Sequence, residues 1–203
     1  MATEAALLRA ARRVFEQDGF LDARIADITA LADTATGTFY TYFDSKEAIF
    51  TAVIDQLNEQ GLHPPSMDFL PDDLDDLEAS VARHHREYLE NYARNAKLMS
   101  VMEQVTNISD DFRHHRTEQA QVYMRRNADA IRRLQREGIA DPELDPEMTA
   151  RSLSTMVSRS AYVSFILEEE GANSIERLVD NLTRIWLNAL ALRPVSRGRR
   201  GGS

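Results

Sequence analysis

Residues 24–49 constrain the fold of this chain more than any other stretch of its sequence. The apolar residues of its first part are Ile25, Ile28 and Ala32. Their i, i+3, i+7 spacing is that of one buried helical face. After a polar break, Phe39 and Phe43 lie four residues apart, which places both rings on one side of a second short helix. The stretch therefore predicts two short helices joined by a tight turn, followed by a third helix that begins at Asp44 or Ser45.

The opposite face of the second short helix carries small and hydroxyl-bearing side chains. Its residues are Gly37 and Thr41, flanked by Thr38, Tyr40 and Tyr42. A short helix with its aromatic rings inward and its hydroxyls outward, held across another short helix, suits insertion into the major groove of DNA. We interpret the stretch as a helix-turn-helix, which predicts that the protein binds DNA.

The same residues resemble the signature of TetR-type transcriptional regulators. The matching residues are Asp27-Ile28, Thr36-Gly37-Thr38-Phe39-Tyr40-Thr41-Tyr42-Phe43 and Ser45-Lys46-Glu47. The resemblance covers roughly the first fifty residues, a quarter of the chain. It implies that Thr36 and Gly37 face bases or sugar edges. It also implies that Tyr40, Thr41, Tyr42 and Lys46 hold phosphates, contacts that position a protein without reading sequence. Thr36 and Thr38 lack the bidentate donors of Arg or Asn, so we expect modest direct base readout.

The chain departs from the family pattern at two places. It has Ala23-Arg24 where the family usually opens the second helix with Thr or Ser. It has Ala32-Asp33-Thr34-Ala35 where the family usually has Ala-Gly-Val-Ser in the turn. Aspartate is one of the few non-glycine residues that enter the left-handed backbone region at modest cost, so Asp33 is compatible with the turn. We expect Thr34 or Thr36 to replace the missing serine as a helix cap.

Length and composition indicate a globular protein of one or two domains. The chain has 203 residues, of which 43% are hydrophobic and 28% are charged. It has no cysteine, which excludes disulfides, thiolate metal sites and cysteine redox sensing. No apolar run approaches the ~20 residues of a transmembrane helix, and the amino terminus lacks the apolar core of a signal peptide. We therefore expect a cytoplasmic protein that makes no membrane contact.

The charge of the chain is unusual for a DNA-binding protein. The whole chain carries −9, and residues 1–50 carry −3, with five basic side chains against eight acidic ones. Phosphate contacts must therefore come from a few donors, namely Lys46, hydroxyls, backbone N–H groups and helix N-termini. We expect weak non-specific binding and a shallow salt dependence, because few counterions would be displaced. The arginine-rich residues 194–203 are predicted to be a disordered, solvated tail, with non-specific DNA contact as the alternative.

Helical spacing dominates the chain, and no stretch alternates as a strand does. We predict an all-α fold of about nine helices, with an N-terminal helix-turn-helix domain over 1–50 and a larger helical ligand-binding and dimerisation domain over 51–193. Residues 61–66 read as a linker. The first predicted helix ends at Gly19, and the second, third and fourth begin within residues 24–49. The later ones are a fifth over 72–94, a sixth over 96–107, a seventh that starts after Ser109 and continues to about Glu137, an eighth capped by Asp145 that ends before Gly171, and a ninth that Asn173 caps and that runs to about Leu192.

The last two predicted helices have the pattern of a dimer interface. The ninth helix has a broad apolar stripe over four turns, and the eighth has two occupied faces. The candidate interface residues are Leu153, Val157, Leu178, Leu182, Ile185, Trp186 and Ala189. A helix simply buried inside one domain would show a similar pattern. The resemblance favours the dimer, because TetR-type regulators dimerise through a four-helix bundle of their last two helices, and a two-fold dimer can read a palindrome.

Soft and aromatic side chains in the larger domain are candidates for an effector site. The candidates are Met99, Met102, Phe112, Tyr123, Met156, Arg159, Tyr162 and Phe165. Such side chains are more often plain core than the lining of a cavity. The resemblance implies that part of the set lines one, because the family holds small molecules among its fifth to eighth helices. Arg159 shares a stripe with apolar residues, so it either pairs with an acid such as Glu103 or anchors an anionic ligand group, and we favour the internal pair.

The four histidines in two adjacent pairs, His84-His85 and His114-His115, do not form a metal site by their spacing. Adjacent residues on a helix diverge by about 100°, so neither pair can chelate as a unit. His-x-x-x-His and Glu-x-x-His patterns are absent, as are thiols. We expect no metal and no cofactor, and a polar role for one histidine in a pocket.

Three functions compete on these observations. The first is a homodimeric repressor that leaves its palindromic operator when a small, largely apolar effector binds. The second is an all-helical enzyme, although no nucleophile turn, phosphate loop or acid pair stands out. The third is a dimeric adaptor without regulated DNA binding. Only the first explains residues 24–47, and we predict a regulator that is not an enzyme.

Overall fold

The computed structural model of the protein describes residues 2–62, 77–167 and 174–190. Within these ranges it has nine α-helices and no strand, which confirms the all-α prediction. The helices are α1 (Ala2–Asp22), α2 (Ile25–Leu31), α3 (Thr36–Tyr42), α4 (Lys46–Leu57), α5 (Leu77–Arg94), α6 (Ala96–Ile108), α7 (Asp110–Arg136), α8 (Pro146–Phe165) and α9 (Ile175–Ala189), with a π-helical turn (Asn58–Leu62) after α4. In this part of the chain, no helix is both long and apolar enough to cross a lipid bilayer.

Glycines mark the helix ends where the sequence predicts them. Gly19 has φ 73° and ψ −177°, a conformation that is essentially restricted to glycine, and it breaks α1 so that the last residues of this helix run in a new direction. Gly138, at φ 72°, lies two residues beyond the end of α7. The linker expected over 61–66 lies mostly outside the described residues, and only Gly61 and Leu62 can be placed, in the π-helical turn.

Polar caps fix the start of the later helices. Asp145 Oδ1 accepts a hydrogen bond from the Met148 amide at 2.7 Å, directly before Pro146 opens α8, as predicted. At α9 the cap is Ser174, whose side chain accepts from the Arg177 amide. The predicted cap, Asn173, is one residue too early and lies outside the described residues. The serine hydroxyl takes this role because it directly precedes the first helical residue.

The described residues group into two compact units. The first consists of residues 2–62, 91–120 and 165–167, and the second of 77–90, 121–164 and 174–190. The first unit is built around aromatic rings, and Phe15 contacts Phe50 edge to face at 5.0 Å between centroids. Phe20 lies 5.5 Å from Phe50, and Phe112 of α7 lies 5.2 Å from it. These rings fix α1, α4 and the start of α7 together. The predicted boundary at residue 50 stays a prediction.

The second unit has an aliphatic core that includes one buried histidine. Leu153 and Trp186 belong to this core, with Ile131 and Leu134 of α7 fully buried beside them. His85 is 2% exposed, and its Nδ1 lies 3.0 Å from Thr183 Oγ1. Burial, reinforced by the neighbouring charge of His84, lowers the pKa of His85 from 6.5 to about 4.

The buried histidine predicts a specific loss of stability in acid. The unfolded chain takes up a proton at His85 near pH 6.5, whereas the folded chain resists it until about pH 4. The neutral side chain of His85 therefore makes its full contribution to the stability of the folded protein above pH 6.5, and this contribution is lost as the pH falls towards 4. Between pH 7 and pH 5, His85 should lower the free energy of unfolding of the wild type by about 2 kcal/mol. A His85→Asn variant lacks the titrating group and should not show this part of the decrease.

Urea unfolding at the two pH values measures this difference. His114→Asn, which changes an exposed histidine, is the matched control and should keep the pH dependence of the wild type. An equal loss in the wild type and in His85→Asn would show that His85 does not contribute.

Candidate nucleic-acid interface

The turn between α2 and α3 has the geometry that the sequence predicts. Asp33 has φ 51°, which places it in the left-handed region, as expected of a residue standing where the family has glycine. The Thr34 amide donates to the Thr29 carbonyl at 3.0 Å, and Thr29 itself is buried. The turn is therefore closed by backbone hydrogen bonds, which hold α3 across α2.

The expected threonine cap of α3 is wrong. The N-cap position is taken by Ala35, and no side-chain hydrogen bond caps the helix. Thr36 is the first helical residue, and its hydroxyl lies 3.5 Å from that of Thr29, a weak contact at most. The helix instead begins with backbone bonds to Ala35, since the Thr38 amide donates to the Ala35 carbonyl at 2.9 Å.

The two faces of α3 separate as the sequence predicts. Phe39 and Phe43 point into the first unit, with exposures of 0% and 8% and ring centroids 5.8 Å apart. The opposite face is open: Thr36, Gly37, Tyr40, Thr41 and Tyr42 are exposed, whereas Thr38 is half-buried. The structure therefore brings six of the seven predicted DNA-binding residues together on one short helix, and the seventh, Lys46, begins α4.

Gly37 has no structural need to be a glycine. It lies in the first turn of α3 with ordinary helical backbone angles, and a Cβ built on it would meet no atom within 4 Å. Glycine inside a helix destabilises the folded state by about 0.5–1 kcal/mol relative to alanine. The free protein thus gains nothing from the missing side chain, and the open space above Gly37 is available to another molecule.

Lys46 has a different environment from the one expected of a phosphate ligand. Its Nζ donates to the Leu21 carbonyl at 3.1 Å and to the Ala23 carbonyl at 2.9 Å. The same ammonium lies 4.7 Å from the centroid of the Phe20 ring. These contacts cannot be predicted from the sequence, because nothing in the local pattern shows that the end of α1 returns to the start of α4.

Ser45, and not Asp44, caps α4. The Ser45 hydroxyl accepts a hydrogen bond from the Ala48 amide at 3.0 Å, and its backbone is extended, as at a regular N-cap. Asp44, although it has capping-box spacing to Glu47, is therefore not the N-cap. The hydroxyl of Ser45 is one residue closer to the free amides of the first turn.

The cap assignment predicts unequal effects of two neighbouring substitutions. Ser45→Ala should lower the free energy of unfolding by about 1 kcal/mol, because one amide of the first turn of α4 loses its partner. Asp44→Ala, the matched control, should change it by only a few tenths of a kcal/mol, the remaining electrostatic effect near a helix N-terminus. Chemical denaturation measures both values. A larger effect at Asp44 than at Ser45 would contradict the assignment.

The predicted effector residues are divided between the two units. In the first unit, Met99 and Met102 of α6 are buried, Phe112 packs on Phe50, and Phe165 lies 6.3 Å from Tyr92. In the second unit, Met156 packs against the aliphatic core, and Tyr123 and Tyr162 are half-buried. All of them except Arg159 lie on buried or half-buried faces of α6 to α8.

Arg159 is exposed, and its guanidinium carbon lies 4.5 Å from the centroid of the Tyr162 ring. Glu103, the acid considered as its partner, accepts a hydrogen bond from Arg116 at 2.7 Å instead. The cation therefore rests on an aromatic face in contact with solvent, a position that costs little desolvation. The pairing of Arg159 with Glu103 remains a prediction.

Four of the predicted interface side chains are buried within the single chain. They are Leu153, Val157, Leu182 and Trp186. Leu178 is half-buried, and Ile185 and Ala189 are exposed, with 41% of Ile185 accessible. Only these last three offer apolar surface to a partner.

The described ranges contain no group of three or more residues that could hold a metal ion. Of the histidines, His85 is buried in the second unit, and His115 Nε2 lies 2.8 Å from Asp55 Oδ1 of α4. The contact forms because α7 begins beside α4 in the first unit, where Phe112 packs on Phe50.

Comparison with known proteins supports the interpretation of this face. Residues 7–53 match the model of bacterial regulatory proteins of the tetR family. Residues 82–191, more than half of the chain, match the model of the C-terminal domain of the transcriptional regulator EthR. The chain therefore belongs to the TetR family of DNA-binding transcriptional regulators, and its larger domain is of the EthR type. This confirms the predicted family and the predicted role of a regulator, as opposed to an enzyme.

Individual relatives agree over different parts of the chain. The transcriptional regulator EthR of Mycolicibacterium smegmatis is 23% identical over 189 residues, which cover 92% of this chain and 85% of that protein. The uncharacterised regulator YvdT of Bacillus subtilis is 45% identical over 51 residues, a quarter of either chain. A crystal structure described as a TetR-family regulator from Syntrophomonas wolfei superposes with a TM-score of 0.74 at 20% identity, and covers 96% of this chain and 97% of its own.

Proposed function

We propose that this protein is a homodimeric repressor that binds a palindromic operator and leaves it when a small, largely apolar molecule binds. The observation that carries the DNA-binding part is the outer face of α3, where the open space above Gly37 is flanked by exposed hydroxyls. Thr36 and Gly37 would face base or sugar edges, and Tyr40, Thr41 and Tyr42 would donate to phosphates. This protein would work in the cytoplasm, where its operator is.

The acidic surface supports a binding mode with few ionic contacts. Tyrosine and threonine hydroxyls can hold phosphates without adding positive charge, and they are the groups exposed on α3. Specificity would then depend on close approach of DNA at Gly37, on DNA shape and on the spacing of two reading heads, the helix-turn-helix domains over residues 1–50, roughly 34–36 Å apart.

Dimerisation would use α8 and α9. Ile185 and Ala189 are exposed on one flank of α9, beside the face that carries Trp186 and belongs to the core of its own unit. Two copies of this surface packed around a two-fold axis would bury it and fix the distance between the reading heads. The proposed organisation is a reading head over 1–50 and a ligand-binding and dimerisation domain over 51–193.

The effector would contact methionine and aromatic side chains, which adapt to apolar ligands of varied shape. The proposed residues are Met99, Met102, Phe112 and Phe165 in the first unit, and Tyr123, Met156 and Tyr162 in the second, where Arg159 is the proposed anchor for a polar end. Induction requires the ligand to prefer a conformation whose reading heads no longer match successive major grooves. Footprinting on DNA that flanks the gene for this protein, followed by a screen for compounds that release it, tests the proposal as a whole.

Gly37→Ala tests the close approach at α3. The free energy of unfolding of the variant should exceed that of the wild type by about 0.5–1 kcal/mol, since alanine is the better helix former and its Cβ would meet no atom within 4 Å. The same Cβ would stand between α3 and the DNA, and operator binding should weaken by about tenfold or more. Denaturation and a gel-shift titration measure the two effects on one protein.

A general loss of folding would lower both the free energy of unfolding and the operator affinity. The expected rise of the first and fall of the second therefore provide the control. Unchanged operator affinity in a stabilised Gly37→Ala variant would show that DNA does not approach this position.

Ile185→Asp tests the proposed dimer surface. A carboxylate in the centre of an apolar contact is costly to bury, so the variant should be monomeric at concentrations where the wild type is dimeric. Sedimentation velocity measures the change. Val122→Asp is the matched control, because Val122 of α7 is exposed to a similar degree, 37% against 41%. Dissociation by the Val122 change alone would contradict the assignment.

A further inference from the structure

The break in α1 leaves main-chain carbonyls that need partners. The last carbonyls of a helix have no intrahelical donor, and they form the partly negative end of the helix. In this chain α1 is broken at Gly19, and three residues later it ends at Asp22, before α2 begins at Ile25. The Leu21 carbonyl lies in the last turn of α1, and the Ala23 carbonyl lies in the short connection that follows it.

Lys46 supplies these carbonyls with donors. Its ammonium is 3.1 Å from the Leu21 oxygen and 2.9 Å from the Ala23 oxygen, so two of its three N–H groups are occupied. The Phe20 ring covers the same ammonium at 4.7 Å, a cation–π distance. The partly negative C-terminal end of α1 also attracts the positive ammonium.

The contact joins three helices of the reading head. Lys46 is the first residue of α4, where the Ser45 cap fixes the start of the helix. Phe20 packs at 5.8 Å on Phe15 of α1 and at 5.5 Å on Phe50 of α4. The Ala23 carbonyl immediately precedes Arg24, the N-cap of α2. The ammonium therefore connects the start of α4 to the residues that directly precede α2, and the turn joins α2 to α3.

We propose that Lys46 is a positioning residue, whose ammonium clamps the end of α1 and the start of α2 to α4 and so sets the angle at which α3 is presented. This inference rests on the proposed DNA-binding function. It differs from the phosphate contact that the sequence predicts, because a lysine that neutralises a phosphate must turn its ammonium towards the DNA. Here the ammonium is turned towards the carbonyls at the base of α2.

The two roles differ in their salt dependence. Loss of one phosphate contact reduces the slope of log K against log salt by about one, whereas loss of a positioning contact weakens binding and leaves the slope in place. Lys46→Met removes the ammonium and keeps most of the apolar stem. Arg13→Met, at an exposed position of α1, removes an equal charge without touching the clamp and serves as the matched control.

We expect Lys46→Met to bind the operator at least tenfold more weakly than Arg13→Met, with the same salt slope. Amide hydrogen exchange over α2 (Ile25–Leu31) in the DNA-free protein should be at least tenfold faster in Lys46→Met than in either the wild type or Arg13→Met. Lys46→Arg keeps the charge and can reach a phosphate, but a planar guanidinium does not reproduce the ammonium between two carbonyls. Lys46→Arg should therefore recover less than half of the operator-binding free energy that Lys46→Met loses.

A slope that falls by about one in Lys46→Met, with unchanged exchange over α2, would overturn the proposal and assign a phosphate contact. Wild-type affinity in Lys46→Arg, together with unchanged exchange over α2 in that variant, would also overturn it. If the wild type retards no DNA, the proposed function fails, and the exchange measurement still decides whether Lys46 clamps α2 in the free protein. The test therefore separates a failed clamp from a failed DNA-binding function.

Discussion

The reading head depends on one constraint, which is that its two central helices are too short to exist alone. α2 and α3 have seven residues each, whereas isolated helices below about 12–15 residues are marginal in water. They form because Ile28 and Phe39 are fully buried in the first unit, and because the rings of Phe15, Phe20 and Phe50 fix α1 and α4 around them. Packing, and not helix propensity, therefore decides how α3 is presented.

This constraint explains how an acidic reading head can serve a DNA-binding protein. Since packing holds α3 rigidly, a few hydroxyls and one open glycine on its outer face can act without a large basic surface. The proposed clamp at Lys46 extends the same principle, because a cation is used to hold the α1–α2 connection in place. Family membership agrees with this division of roles, with the TetR match over residues 7–53 and the EthR-type match over residues 82–191.

The sequence predicts many features that depend on local spacing, although it places the caps of α3 and α9 on the wrong residues, and it misses contacts that depend on tertiary approach. The faces of α3, the left-handed Asp33 and the cap at Asp145 follow from the residues within a few positions of them. The carbonyl contacts of Lys46 could not be predicted, because they join residues more than twenty positions apart. Likewise, the apolar stripe of α9 does not show which of its residues are buried within the single chain. Trp186 is buried there, whereas Ile185 is exposed.

In the proposed function, this protein holds DNA through few ionic contacts and through the uncharged outer face of α3. The affinity of the wild-type protein for its operator, measured between about 50 and 200 mM salt, tests this binding mode. We expect specific binding with a log K against log salt slope of magnitude below about 4. A slope of magnitude about 8 or more, as for proteins with many lysine and arginine contacts, would contradict this binding mode, as would failure of the protein to bind any DNA.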